Sequence, residues 1–497
     1  MRLARNLLIG LFGSAWTALL GLLVTPFFLH YLGIEAYGLI GFFITLQAVL
    51  SLLDMGLAPT INREVARGRA MNNLQDAGRL LHTLAWVYWI VAVLLGCLIL
   101  LLAPWIAERW LQVKLLSPET VKQAVMLMGL IGACRWPIGL YTGVLLGAER
   151  LDLTTGITMV FSTIGSVGGI AILAWVSPTV SAFFVWQAVV GGVQVLVLRA
   201  VAWRTIGRED GIQFDFDRLR KVFRFSAGMS LIALTGVIFT QLDKLVLSKT
   251  LDLEGFGHYM LATAIAGSLY MLITPVYNVL YPRLSLLVAA GQTEQLINLY
   301  RQGTRAYTLI LFSLTMFLAV FSQELVSLWL HNPGIAADVA PIVSVLVIGS
   351  GLHGIMFFPF ALQLAHGTTR LPLLINSILM IALFPSIIFL SLRYGALGAA
   401  WAWLSLHVLY VLLGTWLTHR SLLRGLGWIW FSRDVGISLL VALIFGFSAY
   451  SVNRWLPWPD LARMALGTIL TWGMMACSWK MLSEPIRAEI YAKLRHQ

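Results

Sequence analysis

Arg135 stands ten residues inside a run, Val125 to Leu146, that is otherwise almost wholly apolar. As helix, that run carries the guanidinium about 15 Å from its start, near the centre of a bilayer. An arginine at that depth costs ~2.5–3.5 kcal/mol on insertion scales and seldom faces lipid. Two chemistries are open to it. Its planar fork suits phosphate oxygens; alternatively it pairs with an acid on another helix. Pro137, two residues on, predicts a kink just after it. Asp243 and Lys244 form a second charged point, near the far end of the run Phe225 to Leu247. Thr240, Lys244 and Ser248 recur at helical spacing and share a face. Lys244 is either a second anion-binding cation or a side chain snorkelling to the interface. Asp54 lies near the end of another apolar run and either binds a cation or proton or caps its own helix end. His353, between Gly351 and Gly354, and His407 sit mid-run. Each either exchanges a proton near neutral pH or makes a fixed interhelical hydrogen bond. Arg63 and Arg283 close the second and eighth runs, as a pair of cations at a cavity mouth or as ordinary membrane anchors.

The elements that position these residues are membrane spans. The chain has 497 residues, 59% hydrophobic and 11% charged, with a mean hydropathy of +0.84. Apolar runs of about 20 residues recur along it, the length needed to cross ~30 Å of hydrocarbon as helix. Short alternating segments, the mark of a transmembrane barrel, are absent, so the class is all-α and polytopic. Fourteen spans are expected. The second is Tyr37 to Ala58, the eighth Phe256 to Leu280, the eleventh and twelfth Leu371 to Leu392 and Leu397 to Leu417. Gly436 to Val452 and Ala462 to Leu482 close the series. The first, Leu7 to Leu29, is too long for a signal-peptide core and is read as a retained span. Tryptophans near span ends, Trp105, Trp110, Trp428, Trp430, Trp455 and Trp458, predict an interfacial belt.

A net charge of +12 does not mark a nucleic-acid binder, because the basic residues are scattered among the spans. Most of the 34 lysines and arginines fall in the even-numbered loops and at the two ends. Arg109, Lys114, Lys122, Lys249, Arg393, Arg454 and Arg463 lie on the other side. This bias predicts that both termini are cytoplasmic. Cys97, Cys134 and Cys477 show no CxxC spacing and no disulfide or zinc pattern. The sequence offers no metal site, no cofactor motif and no Walker A motif, so it does not read as an enzyme.

Ile34-Glu35-Ala36-Tyr37-Gly38 is echoed by Leu253-Glu254-Gly255-Phe256-Gly257, each expected in a short loop between spans, at an offset of 219 residues. The architecture therefore starts twice. Six spans precede the second start, so both halves enter the membrane in the same direction, related by a pseudo-two-fold axis along the membrane normal. The expected layout is a six-helix lobe over 1–202, a basic cytoplasmic linker over 203–224, a second six-helix lobe over 225–420, and helices thirteen and fourteen with a tail over 421–497. Arg218 to Arg224 (RLRKVFR) reads as an interfacial helix on anionic membrane lipids.

Several motifs carry a family resemblance. Leu52-Leu53-Asp54-Met55-Gly56-Leu57 followed by Asn62-Arg63-Glu64-Val65-Ala66 resembles the "DxGL…R.vA" signature of bacterial polysaccharide flippases of the Wzx type. Pro275-Val276-Tyr277-Asn278 and Tyr281-Pro282-Arg283-Leu284 are similar to that family's eighth helix, and Tyr394-Gly395-Ala396-Leu397-Gly398-Ala399-Ala400 resembles its approach to helix twelve. The resemblance covers nearly the whole chain and extends to the superfamily that holds the MATE drug exporters and MurJ-type lipid II flippases. It implies two six-helix lobes around a cavity in a bacterial inner membrane. The implied activity is movement of an undecaprenyl-diphosphate-linked oligosaccharide, an O-antigen, exopolysaccharide or capsule repeat unit, from the cytoplasmic to the periplasmic leaflet by alternating access. A glycan polymerase or chain-length regulator is the protein partner such a role implies. For that cargo the candidate binding residues are Arg135, Lys244, Arg63 and Arg283, and the candidates for ion or proton coupling are Asp243, Asp54, His353 and His407. Two other readings stand beside it. One is a cation-coupled exporter of the MATE type, against which counts the lack of Asp or Glu in Leu7 to Leu29. The other is a membrane-embedded glycan ligase or transferase, for which Glu108 and Glu119 are too isolated to form an acidic site.

Overall fold

In the computed structural model, the residues described are 2–207 apart from 55 and 72, then 214–216, 219, 238, and 240–480 apart from 456–457. The basic segment Arg218 to Arg224, apart from Leu219, and most of the seventh expected span lie outside them. Regular structure among the described residues is helical, apart from one isolated bridge between Gln112 and Asp252. Eleven helical stretches there are long and apolar enough to cross a bilayer. Helices satisfy every backbone group internally, which hydrocarbon demands; the chain is a multi-pass membrane protein. It divides into two compact units, Met1–Gly257 and His258–Gln497.

The first unit holds α1 (Arg2–Leu32), α2 (Ile34–Ser51), α3 (Leu57–Ala70), α4 (Gln75–Trp105), α5 (Pro118–Arg135), α6 (Ile138–Gly147), α7 (Leu151–Trp175) and α8 (Val180–Ile206). Its core forms where α3, α4, α6 and α8 meet, around Ile61, Leu84, Tyr88, Tyr141, Val144 and Leu198. Two expected spans are broken, for identifiable reasons. The second does not run from Tyr37 to Ala58: α2 stops at Ser51, a single 3-10 turn covers Leu52–Asp54, and Gly56 at φ 75° starts α3. That left-handed conformation is open to glycine without steric cost. α3 is amphipathic, with Leu57, Thr60, Ile61 and Val65 buried, so Arg63 stands on a separate helix. The fourth span breaks between Arg135 and Ile138, where Pro137 cannot donate to the helical ladder.

The repeated motifs do not lie in loops. Glu35 occupies the first turn of α2, and Glu254 the first turn of α9 (Leu253–Gly267), where the helix dipole favours a carboxylate. Glu35 is buried and accepts from the backbone N–H groups of Lys114 at 2.6 Å, Leu115 at 2.9 Å and Leu116 at 2.7 Å. The segment it fastens also grips residues 248–253. Trp110 donates to Ser248 at 3.0 Å, Gln112 donates to the Lys249 carbonyl at 3.0 Å, and Leu253 N–H donates to the Gln112 carbonyl at 2.8 Å. Lys114 pairs with Asp252, which holds its ammonium above the ordinary lysine range. The two motif copies meet reciprocally: a Cβ on Gly38 would lie 2.2 Å from the Leu253 carbonyl oxygen, and one on Gly257 2.6 Å from that of Ile34. These bonds are why residues 240–257 pack with the first unit.

Glu35→Ala strips the acceptor from three partly buried N–H groups at once. At ~1 kcal/mol for each lost bond, thermal unfolding of the purified protein in detergent is expected to shift down by several degrees. Trypsin cleavage after Lys114 should speed up in parallel. An unchanged midpoint with unchanged cleavage would remove Glu35 from this role.

The second unit continues with α10 (Tyr270–Ala289), α11 (Thr293–Val320), α12 (Ser322–Leu330), α13 (Pro333–Ile355), α14 (Phe357–Ala365), α15 (Arg370–Leu422), α16 (Leu426–Ile429), α17 (Gly436–Trp455) and α18 (Asp460–Lys480). Unbroken, the 53 residues of α15 would be about 80 Å long, far more than a bilayer. Gly395, at φ 62° and ψ −143°, breaks it between the expected eleventh and twelfth spans. No residue with a Cβ adopts that conformation without strain.

A π-helical turn, Trp430–Val435, joins α16 to α17. It alters which side chains face inward and overturns one expectation. Trp428, Trp455 and Trp105 are exposed as an interfacial belt requires, but Trp430 is fully buried. It donates to Thr304 Oγ1 at 2.9 Å and stacks on Tyr300. The indole N–H finds its partner inside, so this tryptophan packs α17 onto α11 rather than anchoring to headgroups.

Candidate functional site

Arg135 is the last residue of α5. From Pro118 it is about 26 Å along the helix, and from Gly147 at the end of α6 about 18 Å, so it stays near mid-depth. Its Nη2 donates to Gln187 Oε1 on α8 at 2.8 Å. The guanidinium carbon lies 5.9 Å from the Phe43 ring centroid, within cation–π range. A Cβ on Gly191 would stand 3.0 Å from Arg135 Cγ and Nε, so the arginine lies over α8 only because that position has no side chain. Nε is buried without a hydrogen-bond partner. Among the described residues no carboxylate comes within ion-pair reach of Arg135, so none of them neutralises its charge.

Arg135 lines a cavity of about 500 Å³ inside the first unit with Gln47, Ser51, Asp54, Trp136 and Gln194 among its neighbours. Gln47 Nε2 is also buried with no acceptor. Asp54 shares the cavity, yet its oxygens are engaged: it accepts from the Ala58 N–H at 3.2 Å and from the Tyr88 hydroxyl. The sequence left Asp54 between ion binding and capping, and in the structure it caps the break before α3. A half-buried cation and an idle amide donor in one space want an acceptor between them. The arrangement suits a small anionic group with room for more.

The other candidates are placed as follows. Lys244 Nζ lies 3.1 Å from Asp243 Oδ2 and donates to the Thr240 carbonyl at 3.0 Å. The adjacent charges answer each other, with Asp243 buried. Arg63 is exposed and paired with Glu64 at 2.8 Å; Arg283 is exposed on α10. His353 on α13 and His407 on α15 come together, ring centroids 4.8 Å apart. His407 Nδ1 donates to the Trp403 carbonyl at 2.8 Å, and His353 Nδ1 shares a short hydrogen bond with the Tyr270 hydroxyl. Spacing along the chain gave no hint that these two rings meet.

Three amides and one ion cluster escaped the sequence reading. Gln187, Gly191 and Gln194 recur at i, i+4 and i+7; that polar stripe in an apolar span was a readable signal. Gln47 is a lone amide mid-span. In the second unit the fully buried Asp434 accepts from Arg301 Nε at 2.7 Å and Arg305 Nε at 2.6 Å. Arg301 and Arg305, one turn apart, signal a shared face, but nothing local points to Asp434. Among the described residues no cluster of His, Cys, Asp and Glu could hold a metal ion.

The chain is 22% identical over 427 residues to a putative O-antigen transporter of Shigella flexneri, covering 84% of this chain and 98% of that protein. It is 24% identical over 376 residues to the teichuronic acid biosynthesis protein TuaB of Bacillus subtilis (strain 168), covering 74% and 71%. Among solved structures it shares the fold of the lipid II flippase MurJ in an inward closed conformation, with a TM-score of 0.72 at 12% identity over 95% of this chain and 99% of that one. It also shares that of an inward-facing MATE family multidrug transporter of the MOP superfamily, with a TM-score of 0.62 at 15% identity over 81% and 95%. The family described as polysaccharide biosynthesis protein matches residues 31–332, which include the α2–α3 break, Arg135 and Gln187, and the chain belongs to that family.

Proposed function

We propose that this protein is a flippase for an undecaprenyl-diphosphate-linked oligosaccharide, carried from the cytoplasmic to the periplasmic leaflet of a bacterial inner membrane. It is a transporter and not an enzyme. Alternating access works between two six-helix lobes, with fourteen helices in all and both termini cytoplasmic. The observation that carries the reading is Arg135: an arginine at mid-depth that no carboxylate among the described residues neutralises, lining a cavity of about 500 Å³ beside a second unpartnered donor. A lipid-linked glycan brings a diphosphate across a region of low dielectric, and fixed positive charge there is worth several-fold more than at the surface. The relative's O-antigen transport and MurJ's lipid II flipping involve the same step, a membrane-embedded carrier moving a glycan or its lipid precursor. Arg63 and Arg283, exposed on their own helices, supply long-range attraction for the headgroup. Lys244, already answered by Asp243, holds an anion more weakly than Arg135 does, which suits release. Asp243, Asp54, His353 and His407 remain the groups through which an ion or proton would couple.

Depleting the protein in cells that make it is the direct test. Lipid-linked glycan should accumulate on the cytoplasmic face, protected from a membrane-impermeant periodate or lectin added outside. Accumulation on the periplasmic face would instead mark a ligase, and no accumulation with raised drug sensitivity an exporter.

A further inference from the structure

We infer that Gln187 is a positioning residue, a neutral clamp that fixes the Arg135 guanidinium while leaving its charge available to an anionic headgroup. The inference rests on the flippase reading and assigns a role within the same site. Gln187 donates through Nε2 to the Gly165 carbonyl at 3.0 Å. That bond settles the sense of the amide: its NH₂ faces α7, so its oxygen must face Arg135, which it meets at 2.8 Å. The Phe43 ring and the bare backbone of Gly191 both pack against the arginine side chain. Of the five N–H donors of an arginine, one is used by the clamp and the Nε donor is buried without a partner. The terminal nitrogens carry the three others, enough for bidentate contact with a diphosphate.

The choice of amide is the informative feature. For stability alone a membrane-embedded arginine is best served by a carboxylate. Glutamate differs from glutamine by one atom and would reach the same place. A carboxylate would cancel the charge before any cargo arrived; an amide orients the fork and cancels nothing. A purely structural arginine gains no benefit from that restraint.

Gln187→Glu and Gln187→Leu separate the two accounts. The probes are farnesyl diphosphate and farnesol, which differ only in the diphosphate, titrated against the purified full-length protein in detergent. Gln187→Glu is expected to weaken farnesyl diphosphate binding ~100-fold, since an opposite charge beside the guanidinium competes directly with the ligand. Farnesol affinity and thermal midpoint should hold. Gln187→Leu keeps the charge but frees the fork, and is expected to cost ~10-fold, the worth of one orienting hydrogen bond. If Gln187→Glu fails to fold, Gln187→Leu carries the test alone. Diphosphate binding unchanged in a folded variant overturns the inference. If the wild type itself fails to prefer farnesyl diphosphate over farnesol, the flippase reading of this cavity falls first.

Discussion

Arg135→Ala is expected to abolish glycan export while the protein stays inserted, folded and at least as stable as the wild type. The two halves of that result have different physical origins. On the functional side, a guanidinium makes two charge-assisted hydrogen bonds to a diphosphate, each worth ~1.5–3 kcal/mol. Losing both costs on the order of 100-fold to 10,000-fold in binding at the point where the headgroup is least hydrated. On the structural side, the side chain contributes one hydrogen bond, to Gln187, and its loss costs ~1 kcal/mol. Against that, removing an arginine from mid-membrane relieves ~2.5–3.5 kcal/mol. The relief outweighs the lost bond, so stability does not fall. Arg135→Lys should retain partial export: the charge survives, but a point charge replaces the planar fork and the Gln187 clamp loses its geometry. Export measured by the appearance of glycan outside, beside thermal midpoints of the purified variants, reads both halves. Normal export by Arg135→Ala would falsify the cargo-binding role, and a collapsed midpoint would make the arginine structural.

Asp434→Ala should have the largest effect on stability of any single change in the second unit. Asp434 is fully buried and answers two arginines. Its removal leaves Arg301 and Arg305 facing each other with no acid between them. Breaking a buried pair from one side costs ~3–5 kcal/mol. Both arginines are about a quarter exposed, so water screens part of the repulsion and the lower end of that range is the one to expect. The damage should be regional. Asp434 holds the π-helical turn that also seats Trp430 against Tyr300 and Thr304, so its loss should free α17 and α18 from α11. Glu324, with Asn453 at 2.8 Å and Arg463 at 3.3 Å, remains as a second attachment of the same two helices. Hydrogen exchange should therefore rise around residues 426–440 ahead of the rest of the unit, with a lower thermal midpoint. Asp434→Asn, which keeps an acceptor but no charge, should fall between. An Asp434→Ala protein with wild-type midpoint and exchange would show that the α11–α17 contact is held by apolar packing alone.

The amount legible in the sequence follows the range of the interaction. Hydrophobicity summed over a span is a property of that span alone, so the helical, polytopic class could be read without any knowledge of neighbours. The family resemblance rested on short runs of the same kind, and the family match supports it. Backbone chemistry is equally local. Pro137 announced the break between α5 and α6, and Gly395 stands at the break between the eleventh and twelfth expected spans. Gly56, whose φ of 75° ends the second span early, carries no such announcement, because an isolated glycine in an apolar run is usually tolerated in place.

Periodicity says which residues share a face; it cannot say which faces meet. The sequence by itself determined that Arg135 is deep in the membrane and in need of a reason to be there. Only the tertiary structure decided which described neighbour reaches it: an amide 52 positions away on α8, while the acid in the same cavity is occupied elsewhere. The same holds for His353 and His407, brought ring to ring from different helices, and for Trp430, turned inward by a π turn that shifts the register of one helix end. A charge in hydrocarbon is costly whatever surrounds it, so its presence is visible in one dimension. Whether that charge is cancelled depends on a contact of about 3 Å between helices far apart in the chain, and only packing fixes that distance.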